Sequence, residues 1–242
     1  PGADIHTPYG ATEALPVAVI SGREIIDSTA SRSAQGAGTC VGTLFPEVDV
    51  RIARIDDGPI KDFSDLELLP PGEIGEIVVR GESVTKRYFR RNQATALAKV
   101  TDDDTIWHRM GDVGYLDEVG RLWFCGRKAH RVETDTGTLF SVPCEAIFNQ
   151  HAAVRRSALV GIGERPRQRP AIVVECLDPQ GPSESLAAEL HTLAADHPLT
   201  ASIESILFHS SFPVDIRHNV KINREQLATW AASRPASIQH DR

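Results

Sequence analysis

Residues 107–127 read WHRMGDVGYLDEVGRLWFCGR. The stretch is two short strands joined at the turn residues Glu118-Val119-Gly120, and it marks the chain around it as a β region. Within it Asp112 follows Gly111, a residue that lets the backbone bend and present a carboxylate at a strand end. A carboxylate so placed can accept two hydrogen bonds from a vicinal diol such as a ribose. Standing alone, the residue is better read as an aspartate turn between strands.

Upstream, Val48–Ile55 and Ile74–Val79 alternate apolar and polar side chains, with Pro71-Gly72 as a further turn, so residues 36–127 read as antiparallel β. Between them RYFRRNQATALAKV (87–100) has the composition of a short helix, ended by the polar run TDDDT. Residues 1–30 hold HTPYGATEALPV (6–17) and a helix-like tail. Downstream of Lys128, a helix in PCEAIFNQH, strands in SALVGIG, AIVVECL and SILFH, a helix over 183–195 capped by Ser183, and a closing helix in NREQLATWAA predict a small α+β domain on a single sheet. Residues 233–242 read as a frayed tail. The fold class is thus mixed α/β (α+β), with boundaries expected at 1–127, 128–232 and 233–242.

Composition narrows the function. The 242 residues carry a net charge of −7, which speaks against a nucleic-acid or anionic-membrane partner. No run of apolar residues is long enough for a transmembrane helix, and the start lacks the pattern of a secretory signal. Cys40, Cys125, Cys144 and Cys176 are scattered, without a C-x-x-C pair, and suit buried thiols in a reducing cytoplasm. The single methionine is Met110, so a fragment or processed chain is expected.

Two cations complete the inventory. Arg127 ends the β zone, where a guanidinium could bridge sugar and phosphate oxygens; a solvated arginine is the plainer reading. Lys221 precedes the last helix, on a loop from which an ammonium could reach a phosphoryl group, and taken alone it is an ordinary surface lysine. Singly these motifs decide nothing; their order does.

Tyr9-Gly10-Ala11-Thr12-Glu13, Gly75-Glu76 to Gly81, Arg109-Met110-Gly111-Asp112, Gly126-Arg127 and the late Lys221 together resemble the adenylate-forming superfamily of acyl-CoA synthetases, peptide-synthetase adenylation domains and luciferases. The likeness spans residues 4–230. More closely, HTPYGATEALPV, the 107–134 stretch, FSVPCEAIFN and RHNVKINREQLATWA resemble the β-lactone synthetases of bacterial long-chain olefin biosynthesis. The resemblance implies that residues 1–127 close a large N-terminal domain and that 128–232 form a small mobile one. It implies ATP and Mg2+ as cofactors, with Tyr9 and Gly10 beside adenine, Thr12 on the α-phosphate and Glu13 on the magnesium ion. Asp112 would accept from the ribose, Arg127 would contact ribose or phosphate, and Lys221 would bridge the substrate carboxylate and the α-phosphate.

It further implies a fatty or β-hydroxy fatty acid substrate and, as partners, other enzymes of an olefin-biosynthesis assembly. The family's Gly/Ser/Thr-rich phosphate loop with its lysine is absent from residues 1–242, so this stretch alone is not expected to adenylate. Pro8 stands where a polar residue often serves adenine. Ala129 occupies the hinge place, and Leu139-Phe140-Ser141 replaces an Arg-Ile-Glu run used with CoA, which puts CoA use in doubt. A β-hydroxy acyl-AMP carries its own nucleophile, and its cyclisation needs no external thiol. A fatty acid–CoA ligase and a non-catalytic nucleotide-binding remnant are the competing readings. His6, His108 and His218 are available by type as a base for ring closure, and the sequence does not choose among them.

Overall fold

The computed structural model describes residues 2–178, 181–215 and 218–234, so most of the expected tail lies outside the described residues. The chain divides into two compact units, one of residues 1–33 and 37–129, the other of 34–36 and 130–242.

Strands β1 (His6–Ala11), β2 (Ala14–Ser21), β3 (Thr39–Leu44), β4 (Val48–Ala53), β5 (Gly75–Gly81), β6 (Lys99–Asp102), β7 (Thr105–Leu116) and β8 (Leu122–Arg127) carry the first unit. They form one sheet in the order β1-β2-β3-β8-β7-β5-β4, with β6 also on β7, and every pairing is antiparallel. Both faces are covered. Val17, Val50, Ile52, Ile77, Val79 and Leu122 pack in one cluster, while Val78, Ala53, Val100 and Trp107 pack in another. The split follows the period-two alternation of a strand.

Two expectations need correction. The helix of the 87–100 stretch is only α1 (Asn92–Ala98), and TDDDT does not cap it; Lys99–Asp102 is already strand and 103–104 is the turn into β7. Arg90 sits at φ 55°, a left-handed conformation that interrupts a right-handed helix. The chain must also leave the helix in time to seat Val100, fully buried, in the core. Asp112 does not stand at a strand end. β7 runs on through it, with Gly111 at φ 65° bulging the strand from within.

In the second unit β11 (Val154–Ile162) pairs antiparallel with β12 (Arg169–Cys176), and β13 (Ser205–Phe208) lies parallel to β12. Helices α2 (Ser141–Phe148) and α3 (Glu184–Ala195) cover one face, through Cys144, Phe148, Leu186 and Leu190 against Leu159, Ile172 and Val174. Helix α4 (Arg224–Ala232) covers the other, through Leu227 and Ala231 against Ala158, Val160, Ala171 and Val173. Ser183 caps α3 by accepting from the Leu186 amide at 3.2 Å, as its sequence predicts. The single-sheet expectation is incomplete, because two ribbons stand beside the sheet: β9 (Val132–Thr134) with β10 (Gly137–Leu139), and β14 (Val214–Asp215) with β15 (His218–Ile222). Each ribbon closes its ladder on itself.

The four thiols are free, three of them buried. Among the described residues no helix is long and apolar enough to cross a membrane.

Candidate nucleotide site

HTPYGATEALPV folds as the β1–β2 hairpin, with Thr12 and Glu13 as its two-residue turn between the paired Ala11 and Ala14. Gly10 is required by space. A Cβ there would lie 2.5 Å from the Ala14 carbonyl oxygen and 2.7 Å from Leu15 Cδ1, distances at which backbone must move. Thr12 is exposed on the turn.

Tyr9, Asp112 and Arg127 meet. The Tyr9 hydroxyl donates to Asp112 Oδ2 at 2.7 Å, and the tyrosine ring leans on Phe124 with centroids 6.1 Å apart. Arg127 is the direct cross-strand neighbour of Asp112 in the β7–β8 ladder, and its Nη1 lies 2.9 Å from Asp112 Oδ1. Such neighbours have Cβ atoms within reach of one another, so the register itself makes the pair. Asp112 is buried whereas half of the Arg127 side chain is exposed. Oδ1 is shielded from solvent and has no aligned hydrogen bond, for all its closeness to the guanidinium. Burial raises the Asp112 carboxyl above its usual range, against the pull of Tyr9 and Arg127. Burial and the Asp112 charge drive the Tyr9 hydroxyl well up, so it stays protonated and donates. The result is a buried carboxylate held by the Tyr9 hydroxyl on one oxygen and by the half-exposed guanidinium of Arg127 on the other.

Glu13 belongs to a separate cluster that the sequence did not disclose. Tyr88 Oη donates to Glu13 Oε1 at 2.8 Å, and the Thr85 amide donates to the Glu13 carbonyl at 2.9 Å. Lys99, buried at 7% exposure, donates to Thr85 Oγ1 at 3.1 Å, with its ammonium 5.9 Å from the Tyr88 ring centre. Burial raises the Glu13 carboxyl, but the Tyr88 bond, a backbone hydrogen bond and the Lys99 charge outweigh it and hold the group below its ordinary value. Burial draws Lys99 down to about 8.

His108 feels the same ammonium. Burial and the Lys99 charge push its imidazole down to about 4, which keeps it neutral. Its Nδ1 faces the Ala98 carbonyl at 3.1 Å and therefore carries the proton. His6 is exposed on β1. The side chain of His218 lies outside the described residues.

Among the described residues no group of three or more His, Cys, Asp or Glu side chains could hold a metal ion. One carboxylate still fits magnesium, which keeps several waters and takes one or two carboxylates together with substrate phosphates. Glu13 on an open turn offers that single ligand.

Lys221 belongs to the second unit. It is exposed on strand β15, not on the expected loop, and three residues ahead of α4. Ala129 lies in the one-turn helix Lys128–His130. Leu139 ends β10, Phe140 is the N-cap position of α2, and Ser141 is its buried first residue. The stretch compared with an Arg-Ile-Glu run is therefore spent on a ribbon and a helix start.

The sequence profile of the AMP-binding enzyme family matches residues 1–89. The chain is 52% identical over 239 residues to the olefin beta-lactone synthetase of Xanthomonas campestris pv. campestris, covering 95% of this chain and 42% of that protein. It is 50% identical over 236 residues to the olefin beta-lactone synthetase of Stenotrophomonas maltophilia, covering 96% and 43%. Residues 1–89 belong to the AMP-binding enzyme family. The chain spans less than half the length of these adenylate-forming relatives. Its fold resembles the solved amide bond synthetase from Marinactinospora thermotolerans, at 26% identity and TM-score 0.72, over 93% of this chain and 42% of that one.

Proposed function

We propose that the chain supplies one wall of the ATP site, and the lysine of the adenylation step, in an enzyme that activates a long-chain β-hydroxy fatty acid as its acyl-AMP and closes it to a β-lactone. The observation that carries this reading is the identity of about half over nearly the whole chain to proteins named olefin beta-lactone synthetase. Residues 1–127 then act as the closing part of a large domain and 128–232 as a small mobile one, the phosphate loop coming from sequence outside this chain. We place the enzyme in the cytoplasm, with other enzymes of olefin formation as partners.

Asp112 is the ribose acceptor, Arg127, half exposed beside Oδ1, adds a donor fork, and Tyr9 and Gly10 line the adenine. Thr12 meets the α-phosphate and Glu13 the magnesium ion, which supplies charge neutralisation on the phosphates when bound. Lys221 bridges the carboxylate and the α-phosphate. In the first step a carboxylate oxygen attacks the α-phosphorus and pyrophosphate leaves, with negative charge growing between the two groups that Lys221 spans. In the second, the substrate's own β-hydroxyl oxygen bonds to the acyl carbon, the bond from that carbon to the AMP oxygen breaks, and AMP leaves with loss of the hydroxyl proton. Holding both reacting groups in one molecule supplies the proximity that an external thiol would need.

The test is product analysis by mass spectrometry, using the full-length enzyme with ATP, magnesium and a β-hydroxy fatty acid, with and without CoA. A lactone formed without CoA supports the reading. A thioester formed only with CoA returns the protein to the fatty acid–CoA ligases.

Asp112→Ala tests the wall itself. Hydrogen bonds to a charged group are each worth about 1.5–3 kcal/mol, so ATP affinity is expected to fall by roughly tenfold or more. Calorimetric titration with ATP checks this, and an unaltered affinity in a folded variant removes Asp112 from the nucleotide contact.

A further inference from the structure

We infer that Tyr88 and Lys99 are positioning residues for the metal–nucleotide complex: Tyr88 occupies Oε1 of Glu13, so that Oε2 is the oxygen presented to the cation. The inference rests on the reading of Glu13 as the magnesium ligand and adds the residues that aim it.

A glutamate on a two-residue turn has three side-chain torsions to settle, and a carboxylate that must meet a small, geometrically strict cation gains from having them fixed in advance. Two contacts hold Glu13, one at its side chain and one at its backbone, and a third holds Tyr88, all made by the segment between β5 and β6. The Tyr88 hydroxyl holds one carboxylate oxygen at 2.8 Å. The Thr85 amide holds the Glu13 carbonyl at 2.9 Å, fixing the turn from its backbone side. Tyr88 is itself fixed, since its amide donates to Thr95 Oγ1 at 3.1 Å.

Lys99 is the less economical part of the cluster. At 7% exposure it buries an ammonium whose hydrogen bond goes to a neutral hydroxyl, Thr85 Oγ1, where an apolar side chain of similar length would pack without desolvating a charge. Its ammonium lies over the Tyr88 ring and against the Thr85 hydroxyl, so it braces the two residues that hold Glu13. Ligands to a bound metal are commonly held by such outer partners, and losing one costs about 10–100-fold in metal affinity.

The test compares affinities for ATP with and without magnesium in the full-length enzyme, by calorimetry, with Mn2+ binding followed by electron paramagnetic resonance as a readout independent of turnover. Tyr88→Phe keeps the ring and removes only the hydroxyl. It is expected to lower the affinity for Mg·ATP about tenfold and to leave that for metal-free ATP unchanged, with a matching loss of Mn2+ signal. Lys99→Met should move the same ratio in the same direction by a smaller factor. A Tyr88→Phe that loses both affinities equally, or neither, while Glu13→Gln lowers the Mg·ATP affinity alone, overturns the positioning role and leaves Glu13 as ligand. If Glu13→Gln also leaves the ratio unmoved, the assignment of Glu13 itself is wrong and the inference falls with it.

Discussion

Lys221→Ala is expected to slow acyl-adenylate formation by roughly 10²–10³-fold while leaving ATP affinity within about twofold. The asymmetry follows from where charge develops. In the ground state the triphosphate is held by other groups, and an exposed lysine adds little to it. As the carboxylate oxygen approaches the α-phosphorus, two negative centres are forced together, and a cation spanning them acts most strongly there. Lys221 is mounted for such a task. It is exposed on β15, whose ladder with β14 runs through the Val214–Ile222 pair, and Asn223 caps the helix that follows by accepting from the Gln226 amide at 3.1 Å. The pairing and the cap fix the backbone from which the ammonium extends. Exchange of labelled pyrophosphate into ATP measures the step, and calorimetry measures the binding. An exchange rate equal to that of the parent enzyme would sink the assignment.

The second large effect is on stability. Arg109 and Glu76 form an ion pair with side chains only 1% and 2% exposed, at 2.7 Å. The guanidinium is saturated: Nε and Nη2 donate to Glu76, and Nη1 donates to the carbonyls of Gly58 at 2.7 Å and Leu97 at 3.3 Å, with Asp56 O as a further acceptor. Arg109→Met leaves a buried carboxylate and the Gly58 and Leu97 carbonyls short of a donor, while Asp56 O keeps Lys128 Nζ at 2.9 Å, and removing one partner of a buried pair costs about 3–5 kcal/mol. Lys128, which reaches Glu76 Oε1 at 3.0 Å, should keep the loss at the lower end. Thermal and urea unfolding of the variant read the loss. The double variant Glu76→Met, Arg109→Met should recover much of it, because replacing both charges by apolar groups removes the stranded one. A loss below about 1 kcal/mol in the single variant would mean that water or Lys128 replaces the arginine entirely.

Much of this architecture could be read from local chemistry. Alternation around Val50 and Ile52, the Glu118-Val119-Gly120 turn, and Ser183 ahead of an apolar helix each act within a few residues, so each is visible without the fold. The β1–β2 hairpin is harder. Its turn, Thr12-Glu13, lacks the Asn-Gly or Asp-Gly signal, and Pro8 and Pro16 lie inside the strands, where proline argues against pairing. β1 is an edge strand, where the sheet tolerates Pro8, and Pro16 falls in the register irregularity of β2 opposite Gly10. Asp112 shows the limit of reading a glycine as a terminus, since Gly111 bends β7 without ending it. Tyr88 and Lys99 could not have been found from spacing at all. Tyr88 reaches Glu13 because the sheet returns the chain to the hairpin turn after 75 residues, Lys99 joins it through Thr85 within the returning segment, and nothing local encodes that return.

The direct pairing of Asp112 with Arg127 makes the intervening turn a phase reference. Strand side chains repeat every two residues, so a single residue added between Leu116 and Leu122 would invert one partner relative to the other and send the guanidinium to the opposite face of the sheet. Two added residues would restore the facing. Change in that turn is therefore filtered by parity before it is filtered by composition. Sequences that keep this carboxylate–guanidinium couple can vary the turn freely in chemistry, but in length only by even steps or by an added bulge.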